Sequence, residues 1–459
     1  MTKQPIVVSL ILLFVVASAA WAADEKPASY YNDVRPIFQA RCHGCHQPAK
    51  TGGEFVMTEF SQLLKGGESE EPAIVPGKPD ESYLIEMVAP EDDVASMPPE
   101  GEPLSATELA VIRRWIEQGA TDDTPASARK TYDADHPPVY KMAPVVTSLD
   151  FSPDGQLLAV SGYHEVLLHK ADGSQLVGRL VGMSERIESA MFSPDGKRLA
   201  VTGGSPGRMG ELQIWSVGRK KLELSLPVAY DTVYGASFSP DGKLIALGCP
   251  DNSMRIVDAD TGEQVLFNGA HSDWVLDTTF SLKGTHLISV SRDRSMKLVE
   301  VATERFIDNI TSITPGALQG GLQAVDRHPS QDQVLIGGAD GVPKIYRIFR
   351  EQARKIGDDF NLIRKFPKMP GRVFDVEFSA DAARVVAGSS DQGQGYVQVF
   401  NAADGKSIAQ MDGQGGGVFA VTFSPDGKQV ASGGFDGKVR INDAATGKLI
   451  KSFVPVPVE

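Results

Sequence analysis

The sequence predicts two parts of different class, a small all-α domain near the N-terminus and an all-β propeller of seven blades after it. Three observations carry this expectation. The chain has 459 residues, 41% of them hydrophobic, more than one domain of roughly 100 to 200 residues accounts for. Residues 24–123 read as helix and loop, whereas the remainder repeats a short turn signature seven times. Between them, residues 124–138 gather Pro125, Asp133, Asp135, His136, Pro137 and Pro138, the composition of a linker.

The first element is a leader over residues 1–23. Lys3 precedes an apolar run from Ile6 to Ala19, and Ala20-Trp21-Ala22 supplies small residues for cleavage after Ala22 or Ala23. The alternative is an uncleaved membrane anchor, because the apolar stretch through Ala23 is just long enough to span.

In the helical part, Val34, Ile37 and Phe38 fall at helical spacing immediately before Cys42-His43-Gly44-Cys45-His46. Two thiols separated by two residues can reach the two vinyl groups of one haem, and the histidine that follows is placed to ligate its iron. Zinc would need two further ligands, and the remaining cysteine, Cys249, lies far away. A thioredoxin-like pair would need a βαβ context, and a plain disulfide leaves His46 unexplained. A second helix follows Ser105-Ala106-Thr107-Glu108, a capping box, with Leu109, Ile112 and Ile116 as its apolar stripe and Gly119 as its stop. Met57, Met87 and Met97 are the candidates for the other axial position. Met97 is preferred because Pro98-Pro99 stiffens the loop that presents it, and thioether sulfur raises the potential.

Tyr31 to His46, Gly52-Gly53, Val75-Pro76-Gly77, Ser82-Tyr83-Leu84, Met97-Pro98-Pro99 and Ile112 through Gly119-Ala120 together resemble the planctomycete-type cytochrome c domain. That resemblance implies a small class I-like cytochrome c fold over 24–123. It implies one covalently attached haem c, with Cys42 and Cys45 as attachment sites, His46 as proximal iron ligand and Met97 as distal ligand.

Residues 24–123 hold 20 acidic and 8 basic side chains, a net of −12 out of −14 for the whole chain. Such a surface repels nucleic acid and favours a basic redox partner, or serves solubility alone.

Beyond the linker, over 139–459, Phe-Ser-Pro-Asp-Gly recurs at Phe151, Phe192, Phe238 and Phe423, with weaker versions from Phe280, His328 and Phe378. The spacings are 41, 46, 42, 48, 50 and 45 residues, near the period of a four-stranded propeller blade. In the last unit, strands are expected over 418–423, 429–433 and 438–441, joined by Pro-Asp-Gly and Asp-Gly turns. An outer strand is expected near 448–454, with 139–142 as the alternative for completing that blade. Gly269-Ala270-His271 followed by Asp277, with Ile214-Trp215-Ser216 and Ile256-Val257-Asp258, resembles the WD40 family. The resemblance implies a WD40 propeller whose role is protein docking.

The chain therefore reads as an exported c-type cytochrome, periplasmic or extracellular, an electron carrier rather than a catalyst. Membrane contact follows only if the leader stays uncleaved. One alternative is a haem-propeller oxidoreductase, similar in architecture to nitrite reductases with a second cofactor in the propeller. It would need convergent ligands, and His164, His169, His271, His286 and His328 show no ligand spacing. The other is a secreted scaffold without redox function. The basic stretch Arg347 to Arg372, with Arg350, Arg354, Lys355, Arg364, Lys365 and Lys368, reads as a solvated outer strand and loop, with docking of the acidic domain as the alternative.

Overall fold

The computed structural model describes residues 26–459 except 44, 48–49, 70, 91–93, 100–101, 126–131, 312–318, 354, 356 and 358. The leader, Gly44 and Arg354 lie outside the described residues. No helix among the described residues is long and apolar enough to cross a membrane. The chain forms two compact units, one of residues up to Ile37 with Ile74–Thr124, the other of Phe38–Ala73 with Pro125–Glu459.

The first unit is helical. A π-helical turn Tyr30–Val34 is capped by Ser29, whose hydroxyl accepts from the Asn32 amide, and runs into the helix Arg35–Arg41. The helix Ala106–Glu117 starts with the expected capping box: the Ser105 amide donates to Glu108 and the Glu108 amide to the Ser105 hydroxyl. It buries Ile112, Trp115 and Ile116, with Tyr30 beside Trp115 at 5.4 Å between rings. Leu109 is only half-buried, so the apolar stripe turns toward Trp115, a residue the 109–112–116 pattern omits. Gly119 takes the left-handed conformation of a helix stop, φ 99°. Val75-Pro76-Gly77 is a turn held by Ser82, whose hydroxyl accepts from the Val75 amide and donates to the Lys78 carbonyl, both at 2.9 Å.

In the second unit, four-stranded antiparallel blades repeat seven times among the described residues. The innermost strands are Leu149–Phe151, the second half of Leu176–Phe192, Ala236–Phe238, Val275–Phe280, Leu322–Arg327, Arg372–Phe378 and Val418–Phe423. The 17-residue strand Leu176–Phe192 serves twice, as the outer edge of blade 1 and the inner strand of blade 2, joining both into one seven-stranded sheet. Each anchor phenylalanine ends an innermost strand opposite an aliphatic residue of the next: Phe151 faces Leu158, Phe238 faces Ile245 and Phe423 faces Val430.

Blade 5 corrects the repeat register by one residue. Arg327, not His328, faces the aliphatic Val334, and His328 stands where the other blades place serine, its Nδ1 accepting from the Ser330 and Gln331 amides. The two spacings around it are therefore 47 and 51 residues.

The turns behave as their chemistry requires. In blade 7 the Ser424 hydroxyl donates to Asp426 at 2.7 Å and accepts from the Gln429 amide at 3.0 Å, while Gly427 sits at φ 66°. The same bonds recur at Ser152, Ser193, Ser239 and Ser379.

The last blade supplies its own outer strand, Leu449–Phe453, paired with Val439–Asp443. Residues 139–142 add only a parallel bridge from Tyr140 to Val458. Blades 7 and 1 meet through a core of Val146, Leu149, Leu158, Ala420, Ala431 and Val439, and through the Val146 amide donating to the Gly434 carbonyl at 3.0 Å. Cys249 is fully buried in the core of blades 2 and 3, which pushes its thiol up to about 12. Leu362–Lys365 is the outer strand of blade 5, and Arg350 pairs with Asp308.

Candidate functional site

The helix Arg35–Arg41 buries Phe38 and ends at the cysteine motif: the amides of Cys42 and His43 both donate to the Phe38 carbonyl at 2.9 Å. The Cys42 carbonyl then accepts from both Cys45 and His46, at 3.1 and 3.0 Å. This double acceptance folds the motif into one tight turn, so Cys42, Cys45 and His46 come together in the second unit. Both cysteines are half-exposed and neither is in a disulfide.

His46 opens a two-residue strand, His46–Gln47, paired with Lys50–Thr51. Its carbonyl accepts from the Met57 amide, and the Cys45 carbonyl from the Gly52 amide, both at 2.9 Å. The Phe55 ring meets the imidazole edge-on at 5.6 Å. A Cβ at Gly52 would stand 3.2 Å from the Cys45 carbonyl oxygen and 3.4 Å from His46 Cε1, so a larger residue here makes the carbonyl or the imidazole give by a few tenths of an ångström. His46 Nδ1 is buried without a hydrogen-bond partner among the described residues.

These residues fit a covalently held haem: two free cysteines on one turn, followed by an imidazole packed against Phe55. Among the described residues, no three of His, Cys, Asp and Glu gather into a metal-binding group.

Met97 belongs to the first unit, half-buried, its amide donating to the Met87 carbonyl at 2.8 Å and its peptide bond to Pro98 cis. Met57, by contrast, is fully buried in the second unit, on the segment that returns to His46.

The propeller histidines have structural partners. His271 Nδ1 meets Asp293 and Nε2 meets Ser289, both at 2.8 Å. The partner of the Gly-Ala-His signature is thus Asp293 on a neighbouring turn, and Asp277 has another task. It accepts from the amide of Val325 in the next blade at 2.8 Å. Asp150 does the same to Phe192, Asp326 to Phe378, Asp375 to Val421 and Glu377 to Phe423, at 2.7 to 2.9 Å. Burial pushes these aspartates up, to about 7 for Asp150 and Asp375, 8 for Asp277 and 6 for Asp326. They are staples between blades, and a period-based reading of sequence has no signal for the partner across each joint.

Comparison with known proteins agrees with both parts. The planctomycete cytochrome C family matches residues 42–101, and the WD domain, G-beta repeat family matches 138–167, 221–258, 262–300 and 405–443. Three of these four segments run from the outer strand of one blade through the three inner strands of the next. Pre-mRNA-processing factor 19 of Oryza sativa subsp. japonica is 27% identical over 159 residues, 34% of this chain and 28% of that protein. Eukaryotic translation initiation factor 3 subunit I of Mycosarcoma maydis is 24% identical over 177 residues, 36% of this chain and 49% of that protein. WD repeat and SOCS box-containing protein 1 of Mus musculus is 33% identical over 91 residues, 19% of this chain and 22% of that protein. The chain thus spans half or less of each of these relatives. The crystal structure of the computationally designed Ika8 protein superposes with a TM-score of 0.51 at 20% identity, covering 70% of this chain and 90% of the designed one. The chain carries a planctomycete-type cytochrome c domain fused to a WD40-repeat β-propeller.

Proposed function

We propose that this chain is an exported mono-haem c-type cytochrome that carries electrons, with its propeller as the protein-docking part. The observation that carries the reading is the single turn that joins Cys42, Cys45 and His46. Bound haem supplies reversible one-electron exchange at its iron. Cys42 and Cys45 would hold the porphyrin through thioethers, with His46 as the proximal ligand and Met97 as the distal one. The family match supports this assignment, since residues 42–101 include both the cysteine motif and Met97. Gly52 and Phe55 lie against the His46 ring and would hold its orientation when haem is bound.

Export rests on the leader over residues 1–23, and a periplasmic or extracellular location follows from its cleavage. The net charge of −12 over residues 24–123 favours a basic redox partner, which it steers by long-range attraction.

The test is spectroscopic. Expressed with haem-attachment machinery, the protein is expected to show one c-type haem by the pyridine assay, and a weak near-infrared sulfur-to-iron band that Met97→Ala abolishes. Absence of thioether-bound haem overturns the cytochrome reading and leaves a secreted scaffold.

A further inference from the structure

At the hub of the propeller lies a cavity of about 500 Å³, within the range of small-molecule sites. Its wall is built from the innermost strands, and two kinds of side chain dominate. Tyr234, Phe374 and Phe419 line it near the starts of these strands, with Phe374 and Phe419 edge-on at 5.0 Å and Tyr234 stacked on Trp274 at 5.5 Å. Glu188 stands at the matching place on the inner strand of blade 2, and the wall also carries Asp150, Asp277, Asp326, Asp375 and Glu377, against one cation, Arg327.

Five of these carboxylates are explained by the blade staples. Glu188 is different: it lines the cavity half-buried, makes no hydrogen bond among the described residues, and burial raises its pKa although Arg186 pulls the other way. A half-exposed carboxylate that the protein leaves unpaired on a cavity wall is open to an entering cation. The carboxylates are spread around the ring and form no metal-binding group. Dispersed acceptors beside aromatic faces suit an extended organic cation, which takes hydrogen bonds at its nitrogen and cation–π contact along its length.

We propose that the hub cavity binds an alkylammonium or guanidinium group, with Glu188 as its direct ion-pair partner and Phe374, Phe419 and Tyr234 as its aromatic wall. Two sources share this chemistry, a free diamine and a lysine or arginine side chain of a docked polypeptide.

The test uses the full-length haem-loaded protein and the fluorescence of Trp274, which stacks on Tyr234, with calorimetry in parallel. The probes are 1,4-diaminobutane, the neutral 1,4-butanediol and a lysine-containing pentapeptide with both ends blocked. Saturable binding of the diamine or the pentapeptide, but not the diol, is expected, weakened about tenfold or more by Glu188→Gln and less by Phe419→Leu. Diamine binding identifies a free amine as ligand, and binding of the pentapeptide alone identifies a partner's side chain. Equal binding of the diol, binding unchanged by Glu188→Gln, or no saturable binding of either cation overturns the proposal. Circular dichroism and the haem spectrum, unchanged in both variants, separate this outcome from misfolding and from failure of the cytochrome reading.

Discussion

At the scale of single residues, the repeating turn shows how one pentapeptide sets the blade geometry. Serine, aspartate and glycine each close one bond or one dihedral, and the exceptions are informative. Blade 6 places Ala382 at φ 58° where five other blades have glycine, a conformation that costs an L-residue about 1 kcal/mol. Ala382→Gly is therefore expected to raise stability by up to about 1 kcal/mol, and Gly427→Ala to lower it by a similar amount. Urea unfolding of the two variants checks the opposite signs. The cysteine motif was legible at this scale because its ligands are neighbours in sequence. The supports of His46 were not, since Gly52 and Phe55 reach the ring only after the Lys50–Thr51 strand folds back.

Elements follow from pattern where their surroundings are simple. The expected strands 418–423, 429–433 and 438–441 appear as Val418–Phe423, Gln429–Gly434 and Val439–Asp443, because alternation and turn residues agree there. The double-duty strand Leu176–Phe192 was not foreseen. Nothing in its composition says that it continues past one blade into the next. In the helix Ala106–Glu117, the capping box satisfies two amides that would otherwise lack partners. Ser105→Ala is expected to cost about 1 kcal/mol, read as a lower denaturation midpoint of the haem-loaded protein. Restoration by Ser105→Asp, which also caps, distinguishes this loss from a packing effect.

On the scale of the whole molecule, the buried carboxylates at the blade joints couple stability to pH. Asp150, Asp277, Asp326 and Asp375 are raised from 3.8 to between about 6 and 8, first by burial. The folded state therefore holds protons that the unfolded chain releases at about pH 4. Their contribution is fully present below about pH 4 and is lost progressively as pH rises from there to the folded values of about 6 to 8. The turn aspartates act in the opposite sense. Bonds from serine and backbone amides lower Asp154, Asp195 and Asp241, and this contribution is lost as pH falls below about 4. Maximum propeller stability from these groups is expected near about pH 4, with a progressive fall toward about pH 8. Denaturation midpoints at pH 5 and pH 8.5 test this, and a midpoint that does not fall at the higher pH contradicts it.

Sequence alone determined the two fold classes, the blade period and the closeness of Cys42, Cys45 and His46 on one turn. Each of these is encoded within a window of a few residues or by simple recurrence, so local backbone preferences and thiol spacing suffice. Only the tertiary structure decided the blade 5 register, the pairing of His271 with Asp293, the carboxylate staples and the unpaired Glu188 at the hub. Those depend on groups from strands about 20 to 50 residues apart or on different blades, which meet only when the blades pack around one axis and exclude water from what lies between them.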